Sequence, residues 1–328
     1  MSTDYLGAID IGGTKLAATV ADASGPLARA VAPTVRTGSE RAVADQAISL
    51  IDQACARAGI DPQAIRRVGV SSCGPFIDAD GAIALATPNL CGGLTDTSDL
   101  PNDWQRIPLE AVLRQRFDEV VIRNDCIAAL IGERSFGALQ NQDNCVYVTW
   151  STGIGFGLCV DGRILQGKHG NAGHAGHMLL TEQSDALCGC GNRGDVEALV
   201  SGRNLGLRNG RSAADIFMAA RQGGEAERRL VEQAAQWFGR ALYNLTATLD
   251  TRVFAIGGSV WMHHGDKLEA LVRHEIESRL PALTAGVSLR SAALGGLVAD
   301  IGALCLILPQ DWHRPWSQSQ PWHALAER

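Results

Sequence analysis

No stretch of this chain approaches the ~18–20 uninterrupted apolar residues that a bilayer crossing needs, and Met1–Ala8 has neither a basic start nor a long apolar run. A soluble, cytoplasmic protein without a membrane partner is expected. Basic blocks are missing as well: 35 acidic against 29 basic side chains give a net charge of −6, with no Lys/Arg footprint for nucleic acid. Nucleic acid is therefore not an expected partner. Cysteine is poorly arranged for disulfides. The nine are odd in number, and Cys55, Cys126, Cys145, Cys159 and Cys305 stand singly in apolar stretches, the pattern of buried reduced thiols. Only Cys188 and Cys190 are spaced like ligands. Gly69-Val70-Ser71-Ser72-Cys73-Gly74 lacks the spacing of a nucleophile elbow, which disfavours a serine or cysteine hydrolase. Low-complexity segments and long linkers are also lacking. What remains is a chain of 328 residues, 46% apolar and 20% charged, long enough for a large core and about two domains.

The apolar run Tyr5–Asp10 ends in Ile11-Gly12-Gly13-Thr14-Lys15, and a second run, Leu16–Val20, leads to a turn at Asp22–Gly25. Strand, tight glycine loop, strand is the reading, with a loop that lets something approach the backbone. The arrangement recurs at Cys145–Thr149, Ser151-Thr152-Gly153-Ile154-Gly155, Phe156–Val160 and Asp161-Gly162, which implies two similar lobes. Between the copies, Val43, Ala47, Leu50, Ile51 and Ala54 mark a helix stripe in Glu40–Gly59. Strands are expected at Arg67–Ser71 and Val120–Ile122. The latter ends at Asn124-Asp125, before a helix over Cys126–Phe136, where α/β proteins tend to place ligand groups. Further on come a helix over Ala226–Leu249, a strand at Val253–Ile256, the turn Gly257-Gly258, and helices at Leu268–Leu280 and Leu294–Leu308. The Trp-rich tail Trp312–Arg328 reads as an irregular surface extension, and His263-His264 as a solvated pair on a polar turn.

Asp10 before Gly12, Gly13, Thr14 and Lys15 joins a carboxylate to free backbone N–H groups, a setting for phosphate and Mg²⁺. An acidic hairpin alone would explain one copy; the second, at Thr152–Gly155, favours phosphate gripped from two sides. Neither copy has the spacing of a Walker loop or a dinucleotide fingerprint. Asn124-Asp125 taken alone also suits a helix cap.

Together these segments resemble the ROK family of sugar kinases and sugar-responsive repressors. The likeness rests on Asp10–Lys15, Gly74-Pro75, Asn124-Asp125 with Ala128-Ala129 and Gly132-Glu133, Gly173–His177, Cys188–Glu197 and Ile256–Gly258, in that order. It covers roughly residues 5–308. The fold it implies is α/β, the two-lobed actin-like/ribonuclease-H-like ATPase fold with a cleft between lobes. Residues 1–124 would form the N-terminal lobe, 125–308 the C-terminal lobe with a zinc-type loop near 174–197, and 309–328 an extension.

The resemblance implies a kinase dependent on ATP and Mg²⁺ that phosphorylates a hydroxyl, expected to be primary, of a sugar or sugar-like polyol. Asp125 would be the base. Asn124, His177 and Glu197 would orient the substrate with Gly74 and Asn89, for which Asn102 is a rival match beyond the apparent insertion Cys91–Pro101. Asp10, Gly12, Gly13, Thr14, Lys15, Thr152 and Gly153 would serve metal and phosphates, and Gly257-Gly258 the adenosine.

Two departures stand out. His174 occupies the place of the family's usual sugar-binding glutamate; neutral imidazole accepts one hydrogen bond and donates one, so the acceptor is expected to differ from glucose near its anomeric end, as a cyclitol or modified sugar does. Asp195 replaces the last cysteine of the family's zinc segment, leaving His177, Cys188, Cys190 and Asp195 as the expected ligands of structural Zn²⁺. A homodimer is implied too. The rival within the family is a catalytically inactive sugar-binding sensor; a repressor is set aside because nine residues, too few for a helix-turn-helix domain, precede Asp10.

Overall fold

A computed structural model describes residues 4–94 and 100–326. Thr95–Asp99, within the stretch expected to be inserted, lie outside the described residues. Two compact units result: Met1–Gly137, Gln166–Ala172 and Gly296–Arg328 form the first, Ala138–Leu165 and Gly173–Gly295 the second.

In the first unit, β1 (Tyr5–Ile11), β2 (Lys15–Asp22) and β3 (Gly25–Pro33) run as an antiparallel meander. Next come β4 (Ile65–Ser72), the small hairpin of β5 (Phe76–Ala79) and β6 (Ala82–Leu85), and β7 (Glu119–Asn124). The main sheet has the order β3-β2-β1-β4-β7, with β1, β4 and β7 mutually parallel. Both of its faces are covered, so β1 is a nearly continuous apolar run and β4 is buried from Val68 to Ser72. Gly7 meets Ile51 of the helix Ala42–Ala58, whereas Gly69, which pairs with Ala8 and so points the other way, meets the backbone of Ala303 in the helix Val298–Cys305. Val43, Ala47, Leu50, Ile51 and Ala54 are all buried, as the stripe requires.

The second unit repeats this plan. Here β8 (Cys145–Trp150), β9 (Ile154–Val160) and β10 (Arg163–Ile164) are antiparallel, and β11 (Val253–Gly257) and β12 (Ser288–Ser291) add in parallel, giving β10-β9-β8-β11-β12. Its core joins Trp150 and Phe254 of the sheet to Phe238 and Leu242 of the helix Glu225–Leu249 and to Trp261 of the helix Ser259–Glu277.

Several expectations change. Compactness does not divide at Asp125: the helices Asp125–Phe136 and Val298–Cys305 belong to the first unit, Gly302 lying directly against the backbone of Ala128. The tail is not irregular. Gln310–Ser319 is helical, Trp312, Trp316 and Trp322 are buried, and the Trp316 indole donates to Ala23 O at 3.1 Å while Trp322 packs on Phe136. His263 and His264 lie within the helix Ser259–Glu277, which starts nine residues before the stripe that was expected at Leu268. Among the described residues no helix is long and apolar enough to cross a membrane.

Candidate functional site

Each unit gathers its predicted residues at the end of its own sheet. In the first, Asp10 pairs with Ser71 across the parallel β1/β4 ladder, and the Ser71 hydroxyl donates to Asp10 Oδ1 at 3.1 Å. Burial, and then the carboxylates of Asp300 and Asp125, push Asp10 up to about 7, against the Ser71 bond and the Lys15 ammonium. The following turn is held from behind: Gly12 N–H donates to Lys15 O at 3.0 Å, and Thr34 uses its hydroxyl on Gly12 O at 2.8 Å and its amide on Thr14 O at 3.1 Å. Lys15 is exposed. A Cβ on Gly13 would stand 3.2 Å from Asn89 Cβ, so the missing side chain is what lets the exposed Asn89 approach.

Asn102 is not an equivalent of Asn89. Its Oδ1 accepts from Gly92 N and Trp104 N, and its Nδ2 donates to Arg36 O and Leu90 O, so it is consumed in holding its loop. Gly74 follows β4 and is joined to Pro75 by a cis peptide. The next residue, Phe76, is clasped through both backbone groups by the Asn171 amide at 2.8 Å.

Asn124 ends β7 and Asp125 begins the helix Asp125–Phe136. The capping reading is correct for Asn124, whose Oδ1 accepts from Cys126 N at 3.0 Å. The same N–H is shared with Asp125 Oδ1 at 2.8 Å. Asp125 thus has one oxygen anchored to the helix start, its side chain half-buried, and its charge felt by Asp10.

In the second unit, Ser151 N donates to Gly153 O at 2.9 Å and closes the turn between β8 and β9. Gly153 lies beside Glu197: an added Cβ would be 3.0 Å from Oε2, the oxygen that accepts from Ile154 N at 3.2 Å. Gly257 and Gly258 leave β11, and Gly258 adopts φ 86° against the Trp150 backbone, a position with room only for glycine. The same unit holds a cavity of about 690 Å³ lined by Thr152, Ser259 and Phe217 among others. His264 stacks on Phe217 at 4.1 Å between centroids, so the expectation of a solvated histidine pair does not hold for it.

His177, Cys188, Cys190 and Asp195 converge, with candidate ligand atoms all within 4.8 Å of one another. Tetrahedral Zn²⁺ with bonds of about 2.0–2.3 Å separates its ligands by roughly 3.3–3.8 Å; the donor set suits the metal by chemistry, and His177–Asp195 at 3.3 Å, Cys190–Asp195 at 3.5 Å and Cys188–His177 at 3.7 Å match that spacing. Asp195 divides its oxygens. Oδ1 caps the helix Val196–Val200 by accepting from Ala198 N at 2.7 Å, and Oδ2 lies 3.3 Å from His177 Nδ1 and 3.5 Å from Cys190 Sγ. The Asp195 hydrogen bond raises the His177 pKa above its ordinary value despite burial. Burial works to raise Asp195, but the bonds from His177 and Ala198 outweigh it and hold the carboxyl low. Glu197 Oε1 is 3.5 Å from Cys188 Sγ, so one carboxylate touches both the metal-type loop and the Gly153 turn. His174 precedes the short turn Ala175–His177 and lies 6.1 Å from the His177 ring.

Residues 6–309 match the model of the ROK family. The chain belongs to the ROK family. It is 35% identical over 266 residues to the N-acetylmannosamine kinase of Escherichia coli O157:H7, covering 79% of this chain and 84% of that protein. The ROK hexokinase of Thermus thermophilus superposes with a TM-score of 0.75 at 30% identity, over 92% of this chain and 97% of that one. The ROK family glucokinase of Streptomyces griseus, solved with glucose and AMPPNP, gives 0.66 at 28% identity, over 91% and 97%. The fold is accordingly the two-domain actin-like ATPase fold of ROK sugar kinases.

Sequence reasoning missed Ser71 and Asn171, the supports of Asp10 and of the Gly74-Pro75 strand. Ser71 had a signal, since it closes the strand expected over Arg67–Ser71; the clasp of Asn171 on Phe76, 95 residues away, left none.

Proposed function

We propose that this protein is a kinase that transfers the γ-phosphoryl group of ATP to a primary hydroxyl of a sugar, with N-acetylmannosamine as acceptor. The observation that carries the reading is the approach of Asp125 to Asp10 at one end of the first sheet, in a chain 35% identical to an N-acetylmannosamine kinase. Asp125, anchored through Oδ1 to the helix start, would accept the proton of the attacking hydroxyl. That hydroxyl oxygen forms the new bond to γ-phosphorus as the bond to the β,γ-bridging oxygen breaks, and ADP leaves with the electron pair. Positioning and electrostatic stabilisation supply most of the rate, so one carboxylate base is sufficient.

Asp10 would hold Mg²⁺, which when bound neutralises charge on the phosphates. The Gly12–Lys15 turn and the Thr152–Gly153 turn offer backbone N–H groups to phosphate, and the cavity beyond Gly258-Ser259 has the size and mixed lining that adenosine needs. His177, Cys188, Cys190 and Asp195 would hold structural Zn²⁺, stiffening the loop that carries His177 and Glu197. An acetamido group next to the anomeric carbon presents one donor and one acceptor. An imidazole, as at His174, can both donate and accept, whereas a glutamate could only accept.

The test is ADP release with Mg-ATP across N-acetylmannosamine, N-acetylglucosamine, glucose, inositols and C7 cyclitols, with Asp125→Ala as the blank. Turnover greatest on N-acetylmannosamine and absent from the blank is expected. Best turnover on a cyclitol would move the acceptor assignment, and silence on all acceptors with sugar binding retained would favour a sensor.

A further inference from the structure

We propose that Arg203 is a further phosphate-binding residue, gripping the terminal phosphates of the nucleotide from the second unit; the proposal rests on the kinase reading above. Arg203 lines the 690 Å³ cavity together with Thr152, Arg211, Ser259, His263 and His264, and no carboxylate residue is among that cavity's lining residues. Such a wall suits an anionic ligand.

Most of the positive charge around this wall is already spent. Arg211 is paired with Glu227 at 2.5 Å. Burial, with Arg221 and His263 nearby, lowers the proton affinity of His264 and favours its neutral form. The guanidinium of Arg203 is exposed and has no hydrogen bond or ion pair among the described residues.

The backbone places Arg203 against the phosphate turn. It is the second residue of the helix Gly202–Asn209, and its amide donates to Thr152 O at 3.0 Å while Gly202 N donates to Ser151 O at 2.8 Å. Asn204 N is taken by the Ser201 cap. The first amides of this helix are therefore occupied and cannot serve phosphate, which leaves the side chain as the cation rooted on the turn. Its Nη1 lies 4.0 Å from where a Cβ on Gly189 would stand, so the guanidinium reaches past the turn to the edge of the Cys188–Cys190 segment without being crowded by it. A planar guanidinium matches two phosphate oxygens at once, a fit that a lysine at the same position would lose.

The measurement is calorimetric binding of adenosine, ADP and AMPPNP with Mg²⁺ to wild type, Arg203→Lys and Arg203→Ala, with steady-state kinetics alongside. Arg203→Ala should weaken AMPPNP about tenfold or more and leave adenosine unchanged, with Arg203→Lys between the two. Added guanidinium should restore part of the lost kcat of Arg203→Ala without altering wild type, a response that a merely structural arginine would not give. Equal losses for adenosine and AMPPNP, or no loss for either, would overturn the assignment. If wild type itself binds none of the three nucleotides, the kinase reading fails first and this one with it. Thermal midpoints within experimental error of wild type keep either variant interpretable, and Arg203→Lys serves if the alanine form unfolds.

Discussion

The two glycine hairpins stand at the same place in sheets of the same order, yet they are chemically unlike. In β1/β2 the last pair before the turn is Ile11 with Leu16, and the pair below it is Asp10 with Ala17. In β8/β9 the corresponding pairs are Trp150 with Ile154 and Thr149 with Gly155. Where the first unit has a carboxylate the second has a neutral hydroxyl, and the turn shortens from Gly12–Lys15 to Ser151–Gly153. Duplicated backbone therefore does not mean duplicated chemistry. The first copy concentrates negative charge at Asp10, Asp125 and Asp300, suited to a cation and a proton; the second has to import its charged groups, Glu197 and Arg203, from helices that follow the metal-type loop.

The largest effect should come from the proposed base, Asp125. Asp125→Asn keeps an oxygen for Cys126 N, so the helix start survives, but removes the proton acceptor; a loss in kcat of about 10²–10⁴-fold with an unchanged unfolding midpoint is expected. A second substitution tests the comparison itself. Asp10→Thr makes the first hairpin resemble the second at the paired position, and should lower kcat by roughly 10²-fold or more by removing the carboxylate proposed to hold Mg²⁺ against the phosphates. Adding Thr149→Asp to it restores nothing if the hairpins are specialised; recovery of activity would mean that they are interchangeable.

The duplication was legible because its signal is local. Two apolar runs around a glycine turn, followed by Asp22–Gly25 or Asp161-Gly162, are short-range patterns, and the structure has both meanders. So was the convergence of His177, Cys188, Cys190 and Asp195, since three of the four lie within eight residues. Long-range packing was not legible. Nothing in Val298–Cys305 says that it returns to the first sheet, because the reason is a fit between Gly69 and Ala303, more than two hundred residues apart. The tail misled for a similar cause: Trp, Pro and polar residues in alternation look irregular, but Trp316 and Trp322 meet Phe136 and Ala23, and Trp312 stacks on Trp316.

Metal removal should separate the units. Chelation is expected to speed hydrogen exchange over residues 174–200, where Asp195 both faces the metal group and caps a helix, and to leave β1, β4 and β7 as protected as before. Uniform loosening of both sheets would refute a role confined to one unit. Proton linkage at Asp10 gives a smaller effect on the other side. Its pKa is raised from 3.8 to about 7, so the neutral form is the one that folding favours. Any stability this provides is complete below the unfolded value and is lost as pH rises through about 7. The proposed Mg²⁺ site would need the carboxylate, so the rise in thermal midpoint on adding Mg²⁺ should grow between about pH 6 and pH 8 and become flat in Asp10→Asn.

The smallest difference should appear between the two helix caps. Ser201 is the cap acceptor for Asn204 N, at 3.3 Å, and its removal should cost about 1 kcal/mol, as cap deletions usually do. Asn124 shares Cys126 N with Asp125, so Asn124→Ala leaves that amide with a partner and should cost nearer about 0.5 kcal/mol. The functional order is the reverse. With the cap gone, Cys126 N can bind Asp125 alone, which draws the carboxylate further into the helix start and lowers its readiness to take a proton from substrate. Urea midpoints should therefore rank Ser201→Ala below Asn124→Ala, while kcat ranks them the other way. If both measures follow one order, the shared amide does not link the cap of the first unit to its base.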